Sequence, residues 1–170
     1  MKTLCFAIIL SSLFTMTYAQ KTVEERLQQI EDRMALKALV DEFSILADRK
    51  DVATQVLLFT EDAKVETMNN GQAVSALVGR KQIGDAFANF LALFEVVYHI
   101  NGQQTVTIAG NKASGISYCE VTLVGDQNGK KMKTKMGVHY KDEYVKQNGK
   151  WLIANRQSTF AWRDVQPLGQ

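Results

Sequence analysis

From Tyr98 to Phe160 the apolar residues recur at every second position, in four runs divided by short turn-forming clusters. The runs cover about 98–108, 113–124, 131–146 and 151–160, and Gly110-Asn111-Lys112, Asp126-Gln127-Asn128-Gly129 and Gln147-Asn148-Gly149 separate them. A period of two sends alternate side chains to opposite faces of an extended chain. Asn and Gly tolerate the positive φ angles of tight hairpins. Strands joined in this way pair antiparallel with their neighbours, as a meander. The single proline, Pro167, is placed beyond the last run, where it interrupts nothing.

The first half of the chain follows a helical period instead. Thr22-Val23-Glu24-Glu25 has capping-box spacing. Leu27, Ile30 and Met34, then Leu36, Leu39, Val40, Phe43 and Leu46, recur at three and four residues. They form the stripe of one amphipathic helix, with a break expected near Arg33. The pattern ends at Asp48-Arg49-Lys50-Asp51. A short helix is expected over 52–59, burying Val56, Leu57 and Phe59. Strands at 63–68 and 73–78 flank the tight-turn signal Asn69-Asn70-Gly71. Gly79-Arg80-Lys81-Gln82 then opens a third helix that reaches Phe94, with Ile83, Phe87, Phe90 and Leu91 on its apolar face. Helices followed without a linker by a long meander describe an α+β domain. Its curved antiparallel sheet packs against the N-terminal helices and leaves a pocket between the layers.

Residues 1–19 read as a secretory signal peptide: a positive start at Lys2, an apolar run from Leu4 to Thr15, and Thr17-Tyr18-Ala19 before Gln20. Cleavage is expected after Ala19. The run is too short for a membrane span, and Cys5 lies at its start rather than at a lipid-anchoring end. A single exported domain over 20–170 is therefore expected, periplasmic or secreted and without stable membrane insertion; an uncut N-terminal anchor is the other reading. Cys119 is the one cysteine left, which precludes an intramolecular disulfide. The domain is long enough to be held by its core alone. A formal charge of +2 argues against nucleic acid as a partner. Lys130, Lys131, Lys133 and Lys135 stand beside Met132, Thr134 and Met136 and read as the wet face of a strand.

Chemistry has few candidates. His99 follows the apolar run Phe94-Glu95-Val96-Val97-Tyr98. It is either a satisfied structural residue or the acid–base centre of a pocket, since imidazole exchanges protons near neutrality. His139 falls on the strand face opposite Val138 and Tyr140, so it points out if Tyr140 points in. No His-x-His or His-x-x-x-His spacing occurs, and no metal is expected. The serine elbow, phosphate loop and dinucleotide fingerprint are also missing from the sequence, and no cofactor is expected. Tyr140 is selected as a pocket-lining phenol, with Asp142 on its strand face. Cys119, Val121 and Leu123 alternate inward as wall residues. Trp151 reads as a packing anchor and Trp162 as a residue of the pocket rim.

Several segments, taken in order, resemble one family. They are Ala47-Asp48-Arg49-Lys50-Asp51, Leu58-Phe59-Thr60-Glu61-Asp62-Ala63, Val78-Gly79-Arg80-Lys81-Gln82-Ile83 and Tyr98-His99-Ile100-Asn101-Gly102, with Tyr140-Lys141-Asp142-Glu143-Tyr144 and Gly149-Lys150-Trp151-Leu152-Ile153-Ala154-Asn155-Arg156 further on. The chain is similar in this way to SnoaL-like and scytalone-dehydratase-like proteins of the NTF2-like superfamily. The resemblance implies a cone-shaped pocket used for dehydration, isomerisation, cyclisation or plain binding, and a homodimer built on the exposed sheet face. The scytalone-dehydratase-like branch places an aspartate at the end of the first helix and two histidines on the sheet. Asp48 and His99 match two of these positions; Leu123 stands at the third.

An aspartate that accepts from one imidazole nitrogen fixes the tautomer and makes the other nitrogen a better base. The expectation is thus a cofactor-independent lyase or isomerase acting on a small carbonyl-bearing molecule. His99 is its acid–base group, Asp48 its orienter and Tyr140 a hydrogen-bond donor. The alternatives are a small-ligand-binding module without catalysis and a dimeric interaction protein of the same fold.

Overall fold

The computed structural model describes residues 21–169; the segment read as a signal peptide lies outside them. Helix α1 (Val23–Asp48) begins with the capping box in place. Thr22 Oγ1 accepts from the Glu25 amide (3.1 Å), and Glu25 Oε2 accepts from the Thr22 amide (2.8 Å). With neither glycine nor proline between its ends, α1 runs unbroken through Arg33. The discontinuity lies in burial instead. Leu27, Ile30 and Met34 are exposed, whereas Leu36, Leu39, Val40, Phe43 and Leu46 are buried. The first turns of α1 overhang the sheet. Asp32 marks the edge, accepting from Lys146 Nζ (2.6 Å) and from the Trp151 indole (2.8 Å). Trp151 is thus the buried anchor its sequence context suggested.

Helix α2 (Val52–Gln55) is capped by Asp51 and tightens into a 3-10 turn over Val56–Leu58. That change of period rotates the expected face. Gln55 and Phe59 are buried, but Leu57 is exposed. Strands β1 (Phe59–Asn69) and β2 (Gln72–Val78) form a hairpin, α3 spans Gly79–Leu91, and β3 (Val96–Ala109), β4 (Lys112–Gln127), β5 (Lys130–Gln147) and β6 (Lys150–Pro167) form the meander. The Asn-Gly pairs at 70–71, 128–129 and 148–149 all take positive φ at both residues, as tight hairpins require.

One six-stranded sheet results, in the order β2-β1-β6-β5-β4-β3. Every pairing is antiparallel except β1 with β6, which is parallel. Turn signals specify only sequential neighbours, so this junction, made by strands far apart in the chain, leaves no local mark. Pro167 is the last residue of β6 rather than beyond it. It faces Met132 of β5, and β1 stops pairing with β6 at Thr159, so no ladder bond is lost on the other side.

Two irregularities in β6 decide which side chains face inward. Ile153 opposes Tyr144 and Asn155 opposes Glu143, which leaves Ala154 as an extra residue. Phe160 opposes Val138 and Trp162 opposes Gly137, which leaves Ala161 as another. Each bulge shifts the inward–outward alternation by one position. Helix α1 lies against the inner face of β3. Asn101 Nδ2 donates to the Val40 carbonyl (3.2 Å) and Gln104 Nε2 to the Leu36 carbonyl (3.3 Å), which fixes its position along the strand.

Candidate active site

A cavity of about 330 Å³ lies between α1, α3 and the concave face of the sheet, within the size range of small-molecule sites. Its wall is mostly apolar. Phe43 and Ala47 come from α1, Phe87 and Leu91 from α3, and Val121 and Leu123 from β4. The polar lining includes Gln55, His99, Tyr140 and Arg156.

His99 sits early in β3, opposite Val121, and its side chain is 7% exposed. Asp48 is the last residue of α1. A carboxylate gains nothing from the negative end of a helix dipole, and here its partners come from the sheet. The His99 amide donates to Asp48 Oδ2 (3.3 Å), and Asp48 Oδ1 lies 2.6 Å from the His99 Nδ1. Two contacts to one residue hold the ring in a fixed plane. With Nδ1–H given to the carboxylate, Nε2 is the nitrogen left to act as base toward the cavity that His99 lines. Burial lowers the His99 pKa below its usual value, and the nearby Arg156 charge adds to that; the Asp48 hydrogen bond and charge oppose it without cancelling it. The imidazole is neutral at pH 7, the form a general base needs.

Arg156 is a side chain of the candidate site that sequence reasoning did not single out. Its guanidinium donates to Asp142 through Nε (2.8 Å) and Nη2 (2.7 Å), and the Tyr144 hydroxyl donates to the same carboxylate (2.9 Å). Arg156 and Asp142 are 1% and 0% exposed. The guanidinium lies over the rings of Phe43 (4.2 Å) and Tyr140 (4.3 Å). Asp142 holds it protonated, well above the usual range. Its Nη1 is buried and has no hydrogen-bond partner. A fixed positive charge therefore borders the cavity with a donor to spare. Plain alternation from Ile153 would send Asn155, not Arg156, inward; the bulge at Ala154 reverses that.

The remaining sequence candidates divide. Tyr140, Val121 and Leu123 line the cavity, and burial keeps the Tyr140 phenol protonated by raising its pKa. Cys119 is buried on the inward side of β4 but does not reach the cavity. Its partner across the ladder is Asn101, which α1 covers through Ser44 and Val40. Burial pushes its thiol up to about 12, so it is no nucleophile. Trp162 does not form the rim of this cavity either. The bulge at Ala161 turns it to the opposite face of the sheet, where its indole lies on Gly137. His139 is on that outer face too, packed against Tyr118 at a tilt with ring centroids 4.4 Å apart. Among the described residues, no group of three or more His, Cys, Asp or Glu side chains is gathered as a metal site.

A cone of curved sheet closed by N-terminal helices, with a carboxylate–imidazole pair at the wall of an apolar cavity, defines an NTF2-like small-molecule-site domain. Within that class the chain belongs to the SnoaL-like domain family, whose profile matches residues 28–157. Among curated proteins, none matches the sequence. Solved structures share the fold. A candidate scytalone dehydratase from Novosphingobium aromaticivorans superposes with a TM-score of 0.72 at 18% identity, over 86% of this chain and 98% of the other. The hexachlorocyclohexane dehydrochlorinase LinA-type3 from Novosphingobium barchaimii gives 0.68 at 17% identity, over 85% and 94%. A candidate aromatic ring hydroxylase from N. aromaticivorans gives 0.70 at 24% identity, over 81% and 94%.

Proposed function

We propose that this protein is a cofactor-independent lyase or isomerase that moves a proton next to a carbonyl of a small, partly apolar substrate. The Asp48–His99 contact of 2.6 Å at the wall of the cavity carries this reading. His99 Nε2 removes a proton from the carbon beside the carbonyl, and Asp48 stabilises the resulting imidazolium. The electron pair left behind flows toward the carbonyl oxygen. There the developing charge is met by the spare Arg156 Nη1 donor and by the Tyr140 hydroxyl, in a cavity whose wall is mostly apolar. The imidazolium then returns its proton, to another carbon in an isomerisation or to a departing hydroxyl in an elimination. A candidate dehydratase and a dehydrochlorinase of the same fold both carry names that denote elimination, which accords with that second route. Leu123 stands where a second histidine would assist the leaving group, so His99 serves as both base and acid.

Exposed Tyr98, Ile100, Tyr118 and Trp162 on the outer sheet face favour a second copy of the chain as a further partner. The exported location inferred from residues 1–19 is part of the same proposal.

Deuterium exchange tests the chemistry without knowledge of the natural substrate. Cyclohexanone, acetophenone and indanone are incubated in D₂O, and loss of the α-proton signal is followed by NMR. The wild type is expected to accelerate exchange of at least one ketone, and His99→Gln to lose that acceleration by about a hundredfold or more. Exchange at the buffer rate for all three, with ketone binding intact, would replace this reading with that of a non-catalytic binding module.

A further inference from the structure

Gln55 ends α2 and lines the cavity, yet it is 1% exposed. Its Nε2 donates to the Phe43 main-chain carbonyl (2.9 Å). A carbonyl can only accept, so the amide cannot be flipped. The Oε1 is therefore directed away from that carbonyl, and it is buried without any hydrogen-bond partner. Phe43 lies inside α1, where its carbonyl already accepts a helical hydrogen bond. The fold has no need of Gln55 to satisfy that atom, and an apolar side chain would match the Val65, Leu77 and Phe87 that line the same cavity. A buried amide oxygen left unpaired carries the cost of its lost hydration. Arg156 Nη1 is in the same condition with the opposite polarity. Both residues abut Phe43, one at its carbonyl and the other over its ring. The cavity wall around Phe43 thus includes an acceptor and a donor that the protein itself leaves unpaired.

We propose that Gln55 is a specificity-determining residue whose Oε1 accepts a hydrogen bond from a hydroxyl or N–H group of the substrate. The inference rests on the reading of this cavity as a site for small carbonyl compounds. The class it selects is a carbonyl compound that bears a hydrogen-bond donor on its far side. A halogen or a bare C–H at that place leaves Oε1 unsatisfied and is rejected, because a site built around a hydrogen bond discriminates against ligands that cannot make it.

Calorimetric binding of indanone derivatives tests this, each ring-hydroxylated isomer being paired with the fluoro compound of the same substitution. Fluorine fills similar space and donates nothing. At least one hydroxy-indanone is expected to bind the wild type about tenfold tighter than its fluoro partner. Gln55→Met is expected to bring that ratio close to one, because neither member of a pair then meets the amide oxygen; Gln55→Leu serves if the Met variant does not fold. The proposal is overturned if no hydroxy isomer exceeds its fluoro partner, whether both bind equally or neither binds. It is overturned equally if the preference survives in the variants. Binding preference is read without turnover. A wild type that discriminates but never exchanges α-protons would refute the catalytic reading alone, and one that exchanges them without discriminating would refute the role of Gln55 alone.

Discussion

His99 shows how far single residues were legible. An imidazole after an apolar run, with a carboxylate at the end of the long helix, could be picked out from the resemblance of their segments to one family. The structure brings the two within 2.6 Å. Gln55 and Arg156 could not be picked out: Gln55 is a polar residue at the end of a four-residue helix too short to show a stripe, and Arg156 owes its inward aim to the bulge at Ala154. The folded protein lowers the His99 pKa, so the unfolded chain binds that proton more tightly. His99 therefore contributes its full stability above about pH 6.5, and loses it as pH falls from there toward the lower folded value. An NMR titration is expected to give a midpoint below 6.5 for this ring. Asp48→Asn should lower it further, since desolvation and the Arg156 charge remain while the two opposing influences are gone; a rise would contradict the pairing. Asp142 supports the site differently. Asp142→Asn breaks a fully buried bidentate pair and is expected to cost about 3 kcal/mol in urea denaturation. Replacing both members, as in Asp142→Leu with Arg156→Met, should recover most of that loss, because no uncompensated charge stays behind.

At the scale of elements, the meander was legible because each hairpin carries its own Asn or Gly signal, and the long helix because its stripe is regular. The point at which that helix leaves the sheet was not, since Leu27, Ile30 and Met34 continue the stripe without being buried. Stability along α1 is therefore uneven. Residues before Asp32 are held by the capping box and helical hydrogen bonds, and those after it by the core. Thr22→Ala removes one cap bond, worth about 1 kcal/mol to the helix end. Amide exchange is expected to quicken over residues 24–31 while the global unfolding midpoint stays nearly constant. A matching drop in the midpoint would mean that the overhang folds with the core after all. On the opposite face, a Cβ at Gly137 would clash with the Trp162 indole nitrogen. Gly137→Ala must displace that ring, with an expected cost of about 1–3 kcal/mol, and Trp162 fluorescence should shift to the red as the indole gains water.

For the whole molecule, the sheet's parallel junction and the hollow it helps to form arise together. The β1–β2 hairpin, docked alongside β6, contributes Val65 and Leu77 to the cavity wall opposite Val121 and Leu123. No local pattern encodes that closure, so the existence of a pocket could be inferred from element order, but not its walls. An apolar space of about 330 Å³ is a cost to the fold, because its lining forgoes the contacts a filled core would make. A protein that keeps such a space is more stable when it is filled. Leu123, which lines the cavity, gives the means to test this. Leu123→Phe extends a side chain into open volume rather than into packed neighbours, and adds apolar burial worth about 1 kcal/mol. For a domain of this size that corresponds to a rise in Tm of roughly 2–4 °C. The same ring occupies the space a substrate needs, so the Tm increase that saturating indanone gives the wild type should disappear in the variant. A variant that is stabilised and still shifted by the ketone would place the binding space elsewhere. One that is destabilised would mean that the wall around Leu123 is already closed in solution, with no room left for a ligand beside His99.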